Sequence, residues 1–304
     1  MYTVVRDPLF GGQMKFSLVL AIIACVCFQV GYGCQAEAAS YLEILRTGSI
    51  DWGKGFFQSS GVGMPGVKDG ERNETAPEKA FNASRKQALK NMVSLVMATR
   101  VDADSSVRDV ASRSDRVMGK VESLINRSKV IKQEYLSDGT VEIQLQMNMY
   151  GGFAQLILPE EIEQIETIKT VSSGDTGISG SDSVSPPESG AETYTGLVVD
   201  AIGTRALPAL VPVIVDEKGK EVYGPAFVSR EYAVQRGLCR YVTNVETALK
   251  QSAVGSNPII VKGLRAEGND RSRIAISNVD ASRLLSMSEN LSFLKKCRVV
   301  IVID

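Results

Sequence analysis

The sequence predicts an α+β protein made of two small domains, and three observations carry this prediction. Apolar residues recur at helical spacing between 75 and 125, apolar and polar residues alternate from 141 to 150, and a Ser/Gly/Pro-rich stretch separates the two halves at 171–192. We expect the first domain to pack two helices on one face of an antiparallel sheet. The second domain is predicted to be a mixed α/β or α+β unit whose strand order the sequence leaves open.

Two helices are predicted in the first domain because apolar side chains fall on one helical face in each. The first helix starts at the capping-box pair Thr75 and Glu78. Its face consists of Phe81, Ala88, Leu89, Met92, Val93 and Val96. The face of the second helix consists of Val107, Val110, Ala111, Val117, Met118, Val121 and Leu124.

The sheet of the first domain is predicted from a change of period. Val141, Ile143, Leu145, Met147 and Met149 alternate with polar residues, which is typical of a strand buried on one side. The turn at 137–140 joins this strand to another at 129–136, and 48–52 with 55–62 form an earlier strand pair. Trp52, Phe56 and Phe57 are expected in the core of this domain rather than in a glycan-binding platform.

In the second domain, short apolar runs alternate with helical patterns. Strands are predicted at 197–199, 211–215, 259–264, 273–277 and 298–303, and helices at 229–236 and 243–251. The last strand is continuously apolar, and we therefore expect it to be central in its sheet.

The N-terminus predicts export. Met14 and Lys15 precede an apolar run from Phe16 to Val30, and Ala36-Glu37-Ala38 gives a small-x-small cleavage site before Ala39. Residues 1–38 are predicted to be a signal peptide, with Met14 as an alternative start, cleaved between Ala38 and Ala39 to leave a periplasmic or outer-membrane-associated product. Lipidation at Cys25 or Cys34 and a retained N-terminal anchor are the alternatives.

The remaining boundaries follow from composition and charge. We assign 39–158 to the first domain, 159–192 to an acidic helix end and linker, and 193–304 to the second domain. Glu160, Glu161, Glu163 and Glu166 make the start of the linker acidic, while the whole chain has a net charge of −1. Neither domain is basic enough for a nucleic-acid-binding protein.

Two cysteines, Cys239 and Cys297, remain after the predicted cleavage. In an oxidising compartment they can form a disulfide, whereas free cysteine is also a common small core residue. Both alternatives stay open at this stage.

The sequence contains no histidine, which removes the usual general base and the commonest metal ligand. Gly61 to Gly66 spell G-x-G-x-x-G, but the acidic residue of a dinucleotide site is missing about 20 positions later. Ser292 and Lys295 match S-x-x-K without the K-T-G strand of penicillin-binding enzymes. We therefore predict no catalytic residue, no cofactor and no enzymatic activity.

Asp102, Asp104 and Ser106 imitate the beginning of a calcium loop. Val107 stands where the loop requires glycine and Arg113 where it requires glutamate, so a calcium site is not expected. The aspartates are predicted to lie in the join between the two helices.

The helix pair at 77–125 and the hairpin at 132–152, with its Asp138-Gly139 turn, resemble a known pattern. They are similar to the twenty-kilodalton Lpp outer-membrane lipoprotein family and to the N-terminal domain of the flagellar T-ring assembly protein. The whole chain resembles uncharacterised two-domain exported bacterial proteins. This resemblance implies an envelope protein that assembles with other proteins, in some cases around the flagellum, and it supplies no catalytic positions.

The sequence thus favours an exported envelope protein with a structural or assembly role. Its expected partner is another protein or a second copy of the chain, with no nucleic acid and no transmembrane segment in the mature protein. The alternative is a periplasmic solute- or glycan-binding module whose pocket lies in the second domain.

Overall fold

A computed structural model describes residues 40–65, 76–162, 194–286 and 288–304. These residues form an antiparallel five-stranded sheet from the first half of the chain and a mixed seven-stranded sheet from the second. The α+β fold class is therefore confirmed. The predicted signal peptide and most of the predicted linker lie outside the described residues.

Within the described residues, the first half consists of three strands, three helices, two further strands and a short helix, in that order. Its strands are β1 (Leu42–Leu45), β2 (Gly48–Asp51), β3 (Phe56–Gly63), β4 (Lys129–Tyr135) and β5 (Val141–Asn148). Its helices are α1 (Ala76–Met97), α2 (Val107–Ala111), α3 (Asp115–Asn126) and α4 (Gly152–Ile157). The strands are ordered β1-β2-β3-β5-β4, with antiparallel neighbours throughout.

Strand β5 has the alternation predicted from its sequence. Val141, Ile143, Leu145 and Met147 are buried, and the polar residues between them are more exposed. Helix α1 covers the buried face of β3 and β5. The core of this half therefore lies between one long helix and the two inner strands of the sheet.

Helix α1 lies unusually close to β3 because β3 contains two glycines at the contact. A Cβ atom on Gly61 would overlap the carbonyl oxygen of Ser84, and one on Gly63 would overlap the carbonyl oxygen of Ala80. Ser59 also donates its hydroxyl to the carbonyl of Ala88 at 2.9 Å. Small residues on both elements thus bring the two backbones together, and the G-x-G pattern serves packing.

The second predicted helix is divided into α2 and α3. Ser106 caps α2, with its hydroxyl accepting from the Asp109 amide and the Asp109 side chain accepting from the Ser106 amide. Helix α2 ends at Ala111, and Ser114 begins α3 with extended backbone. The prediction of one continuous helix was wrong because the serines at 112 and 114 terminate one helix and begin the next.

The second half forms the larger sheet. Its strands are β6 (Gly196–Asp200), β7 (Val213–Val215), β8 (Glu221–Tyr223), β9 (Arg240–Val242), β10 (Pro258–Glu267), β11 (Arg273–Ile276) and β12 (Val299–Val302). Its helices are α5 (Arg230–Arg236), α6 (Val245–Leu249), α7 (Asn278–Leu285) and α8 (Ser288–Lys295), with a 3-10 helix at Pro225–Phe227.

The strand order of this sheet is β8-β7-β11-β10-β6-β12-β9. Strands β10, β6, β12 and β9 are parallel to one another, whereas β11 is antiparallel to β10 and β8 is antiparallel to β7. All four residues of β12 are buried, and the strand has a parallel neighbour on each side, one position from the sheet edge. This explains its continuous apolar sequence.

The two sheets meet where the chain enters β1. Ser40 bridges Val242 in antiparallel fashion, and the Tyr41 amide donates to the Tyr241 carbonyl at 3.1 Å. The ring of Trp52 packs edge-on against Tyr241, with 5.8 Å between ring centroids. Trp52 is buried as predicted, but its aromatic partner comes from the other half of the chain.

A charged residue adds a second connection. Arg100 donates from Nε to the Pro208 carbonyl at 2.8 Å and from Nη2 to Glu43 Oε1 at 2.6 Å. The other carboxylate oxygen of Glu43 accepts from Trp52 Nε1 at 2.8 Å. Both groups are partly buried, and the network connects β1 with the segments that contain Arg100 and Pro208, which come from distant parts of the sequence.

One hydrophobic cluster runs through both halves, from Ile50 and Phe57 in the first sheet to Tyr223 and Ile301 in the second. The described residues therefore form one compact unit. None of the helices in the described ranges is both long and apolar enough to span a bilayer.

The close contact between α1 and β3 predicts opposite effects for two glycine substitutions. Gly61→Ala should lower the free energy of unfolding by about 1–3 kcal/mol, because the added methyl meets helix backbone that cannot move independently. Gly119→Ala in α3 is the matched control. Its Cβ would meet nothing within 4 Å, so the variant should gain about 0.5–1 kcal/mol from helix propensity.

Urea denaturation of the two variants and the parent protein measures both effects. If Gly61→Ala were as stable as the parent protein, α1 and β3 would not be in the contact described here.

Candidate functional site

Strand β4 forms an outer edge of the first sheet and is exposed along all seven of its residues. Four apolar side chains at this edge are exposed to solvent. They are Val130 (37% exposed), Ile131 (43%), Tyr135 (61%) and Leu136 (44%). An edge strand that exposes both its backbone groups and apolar side chains is able to pair with another chain.

The exposure of β4 follows from the position of α1. The helix packs on β3 and β5 and leaves the next strand uncovered. From Lys132 to Tyr135, β4 pairs regularly with β5, placing Gln133 opposite Ile143 and Glu134 opposite Glu142. The register shifts between Val130 and Lys132, so a bulge at Ile131 separates the regular part of the strand from its start.

The outward face of β4 carries both signs of charge. Lys132 Nζ lies 2.9 Å from Glu134 Oε1, and both side chains are about half exposed. The Glu134 interaction raises the pKa of Lys132, chiefly through the hydrogen bond between the two groups. Glu134 also faces Glu142 across the strand pair, which is an unfavourable like-charge neighbour.

A groove opens beside the beginning of β4, with a volume of about 320 Å³. Its walls come from the end of α3, the start of β4, the end of β5 and the start of α4. The lining residues are Phe56, Leu124, Arg127, Ser128, Lys129, Gln146, Met147, Asn148, Tyr150, Gly152 and Phe153. The size falls within the range of small-molecule sites in proteins.

The groove combines an apolar floor with two cations. Arg127 and Lys129 are exposed on its rim, neither forms a salt bridge with a described residue, and its lining contains no carboxylate. The two cations follow the C-terminus of α3, where positive charge also stabilises the helix dipole. The arrangement is suited to an anion with an apolar body.

Tyr150 separates this groove from a second cavity. Its ring fits between two glycines of positive φ, and a Cβ on Gly237 would lie 2.8 Å from the ring. Burial raises the pKa of Tyr150 to about 12, and the nearby Arg240 partly opposes this effect. The second cavity is lined mostly by apolar residues, among them Trp52, Leu210 and Leu238, and its volume of about 20 Å³ has room for a single water.

Cys239 and Cys297 are both free and buried in the structure. They lie among buried tyrosines, and Tyr223 donates its hydroxyl to the Leu238 carbonyl. Burial raises the pKa of Cys239 well above its usual range and that of Cys297 to about 12. The thiols are therefore protonated near neutral pH and form part of the core.

The catalytic motifs are not assembled into sites. Gly61 and Gly63 lie inside β3 against α1, so they do not form the strand-to-helix turn that holds a pyrophosphate. Ser292 lies within α8 and Lys295 ends that helix, whereas the S-x-x-K serine of penicillin-binding enzymes begins one.

The calcium-like segment is a capped turn. The carboxylate of Asp102 accepts from the amides of Asp104 and Ser105 and from the Ser105 hydroxyl, and Asp104 accepts from the Asn269 side-chain amide at 3.0 Å. No group of three or more metal-ligating side chains occurs within the described ranges. The aspartates lie in the join before α2, as predicted.

The cleavage pair Ala38 and Ala39, together with Glu163 and Glu166, lies outside the described residues, while Glu160 and Glu161 are exposed just after α4.

The sequence did predict β4 as a strand but not as an edge. The available signal was the placement of Val130 and Ile131 between lysines, a charge pattern typical of edge strands.

The buried acidic groups predict a loss of stability at alkaline pH. The Cys297 pKa is about 12 in the folded protein against 9.0 for a free thiol, so the unfolded chain releases this proton first. This contribution to the free energy of unfolding is complete below about pH 8 and is lost as the pH rises from about 9 towards 12.

Urea denaturation between pH 7 and 11 measures this loss. The variant Cys297→Ala should show a shallower decline than the parent protein because it lacks one of the shifted groups. A profile that stays flat to pH 11 in the parent protein would show that these groups are not buried.

Comparison with known proteins finds a similarity in the second half of the chain. Residues 196–304 match the family model described as Treponema pallidum Tp0624, second domain. The match includes every strand of the seven-stranded sheet, but it covers less than half of the chain. The search of curated proteins found no match. The second half is thus similar to the second domain of a bacterial protein, while the resemblance of the first half to the Lpp family and the T-ring assembly protein remains a prediction.

Proposed function

We propose that this chain is an exported bacterial envelope protein with a structural or assembly role, and that it binds a protein partner by adding a strand to β4. The observation that carries the proposal is the complete exposure of β4 at the edge of its sheet. The unused N–H and C=O groups of such an edge provide affinity, and its side chains provide specificity.

The residues of β4 favour specific binding of a partner over unspecific strand pairing. Lys129 and Lys132 and the bulge at Ile131 are devices that limit uncontrolled pairing of an edge strand. Strand β4 nevertheless keeps three exposed apolar side chains, and a fourth, Leu136, follows directly after it. This combination favours a partner with a defined register over general aggregation.

The proposal assigns no reaction to the protein. A general base near neutral pH is usually histidine, which this chain lacks. The resemblance of the first half to envelope proteins that assemble, including one of the flagellum, supports the same role. The similarity of residues 196–304 to a domain of a bacterial protein agrees with a bacterial source.

The role of β4 in binding can be tested by substituting two of its exposed residues. Ile131→Lys combined with Tyr135→Lys should leave folding intact, because both side chains are exposed, and should abolish association. Val279→Lys on α7, where the valine is 77% exposed, is the matched control and should associate like the parent protein.

Sedimentation velocity of each purified protein, alone and with envelope extract, measures association. Circular dichroism verifies the fold. If the double variant sediments like the parent protein under both conditions, β4 is not the binding edge.

The groove beside β4 supports a second candidate, a solute-binding module for an anion with an apolar body. This differs from the sequence-based alternative, which expected a pocket in the second domain. Calorimetry with decanoate should then show saturable binding that Arg127→Gln combined with Lys129→Gln weakens about tenfold or more. Lys120→Gln, on the exposed part of α3, is the control. Equal binding by all three proteins would exclude the groove.

A further inference from the structure

We propose that the partner of β4 is β4 of a second copy of this chain, paired antiparallel about a two-fold axis at Gln133. The inference rests on the proposed function and adds both the identity of the partner and the register. It follows from the order of charges along the regular part of the strand, Lys132 to Tyr135.

Symmetry restricts the registers that two identical strands can adopt. In a continuous antiparallel sheet, directly opposite side chains lie on the same face. A two-fold axis perpendicular to the sheet keeps each side chain on its own face. Because neighbouring residues of a strand point to opposite faces, directly opposite side chains share a face only if one residue lies opposite its own copy across the axis.

Charge then selects among the positions Lys132, Gln133 and Glu134 of this segment. An axis at Lys132 places two lysines opposite each other, and an axis at Glu134 does the same with two glutamates. An axis at Gln133 places two neutral amides on the axis and sets each Lys132 opposite Glu134 of the second copy. Like charges directly opposite destabilise a strand pair and opposite charges stabilise it, so the Gln133 register is favoured.

The same register also places an additional positive charge beside the Glu134 carboxylate. Within its own sheet, Glu134 has Lys132 on one side and Glu142 directly opposite. The second copy adds another lysine on the open side of the strand. Because these groups are about half exposed, they contribute little affinity and mainly determine the register.

Apolar contact provides the larger part of the association. In this register Tyr135 of the second copy lies opposite the bulge at Ile131. Val130 shares the face of Tyr135, because the two residues pair with Leu145 and Val141 on the same face of β5. Val130, Ile131 and Tyr135 are all exposed in the single chain, and the two-fold axis repeats each contact. The bulge at Ile131 disrupts the ladder at that point, so the paired segment is short.

Charge reversal tests the register. Lys132→Glu alone, and Glu134→Lys alone, should each raise the dimer dissociation constant about tenfold, because two attractive pairs become repulsive. Lys132→Glu combined with Glu134→Lys should restore the parent value, since every opposite-charge pair is present again. Sedimentation velocity over a concentration series gives the constants. Failure of the double variant to recover would overturn the register.

Cysteine crosslinking tests the axis directly. The full-length chain with Cys25, Cys27 and Cys34 replaced by serine retains only the buried thiols Cys239 and Cys297. Adding Gln133→Cys places two thiols across the axis, within the range of a disulfide, so mild oxidation should give a covalent dimer. Lys129→Cys is the control, because its two copies would be about 26 Å apart and should remain monomeric.

The outcomes separate this inference from the proposed function. A protein that is monomeric at all concentrations, and that gives no dimer from Gln133→Cys, overturns pairing with a second copy. If the parent protein then retains a partner from envelope extract that the Ile131→Lys and Tyr135→Lys variant does not retain, the proposed function of β4 stands. If the variant retains the same proteins as the parent, both proposals are wrong.

Discussion

The close contact between α1 and β3 determines where the rest of the first half can lie. Gly61 and Gly63 remove the side chains that would hold the helix away, and Ala80, Ser84 and Ala88 present small side chains or backbone to them. A helix this close to β3 covers β3 and its neighbour β5 but does not reach β4. The exposed edge is thus a geometric consequence of how the core is packed.

The second half of the chain contacts the first sheet at β1 and Trp52, away from β4. Trp52 and Tyr241 pack together, Glu43 accepts from both Trp52 and Arg100, and Arg100 also binds the Pro208 carbonyl. These contacts join residues far apart in the sequence within one hydrophobic cluster. The edge strand β4 therefore belongs to one compact unit, and an ordered edge loses less conformational entropy on binding than a mobile segment does.

The elements that the sequence predicted well are those in which local pattern and tertiary environment agree. Strand β5 alternates because one of its faces lies under α1, and β12 is apolar throughout because both of its faces are buried. Strand β7 lies within the strand predicted at 211–215, whereas β8 and β9 were not predicted because three residues are too few for a period to be recognised.

The candidate site was harder to predict because it depends on β4 being left uncovered by the rest of the fold. The sequence of β4 identifies a strand, but only the position of α1 shows that both of its faces are exposed. Gly61 and Gly63 matched a nucleotide-binding pattern by letter, and their packing role depends on α1 backbone about 20 residues later. The groove likewise combines Phe56 with residues of α3, β5 and α4.

Hydrogen exchange of backbone amides tests most directly the claim that β4 is a free edge that pairs with a second copy. At high dilution, the amides of 129–136 that face away from β5 should exchange quickly, while those of β3, β5 and β12 exchange only through global unfolding. Raising the protein concentration should slow exchange in 129–136 and leave the other strands unchanged. Strong protection of all β4 amides at every dilution would contradict the account, because it would show that this edge is already covered within a single chain.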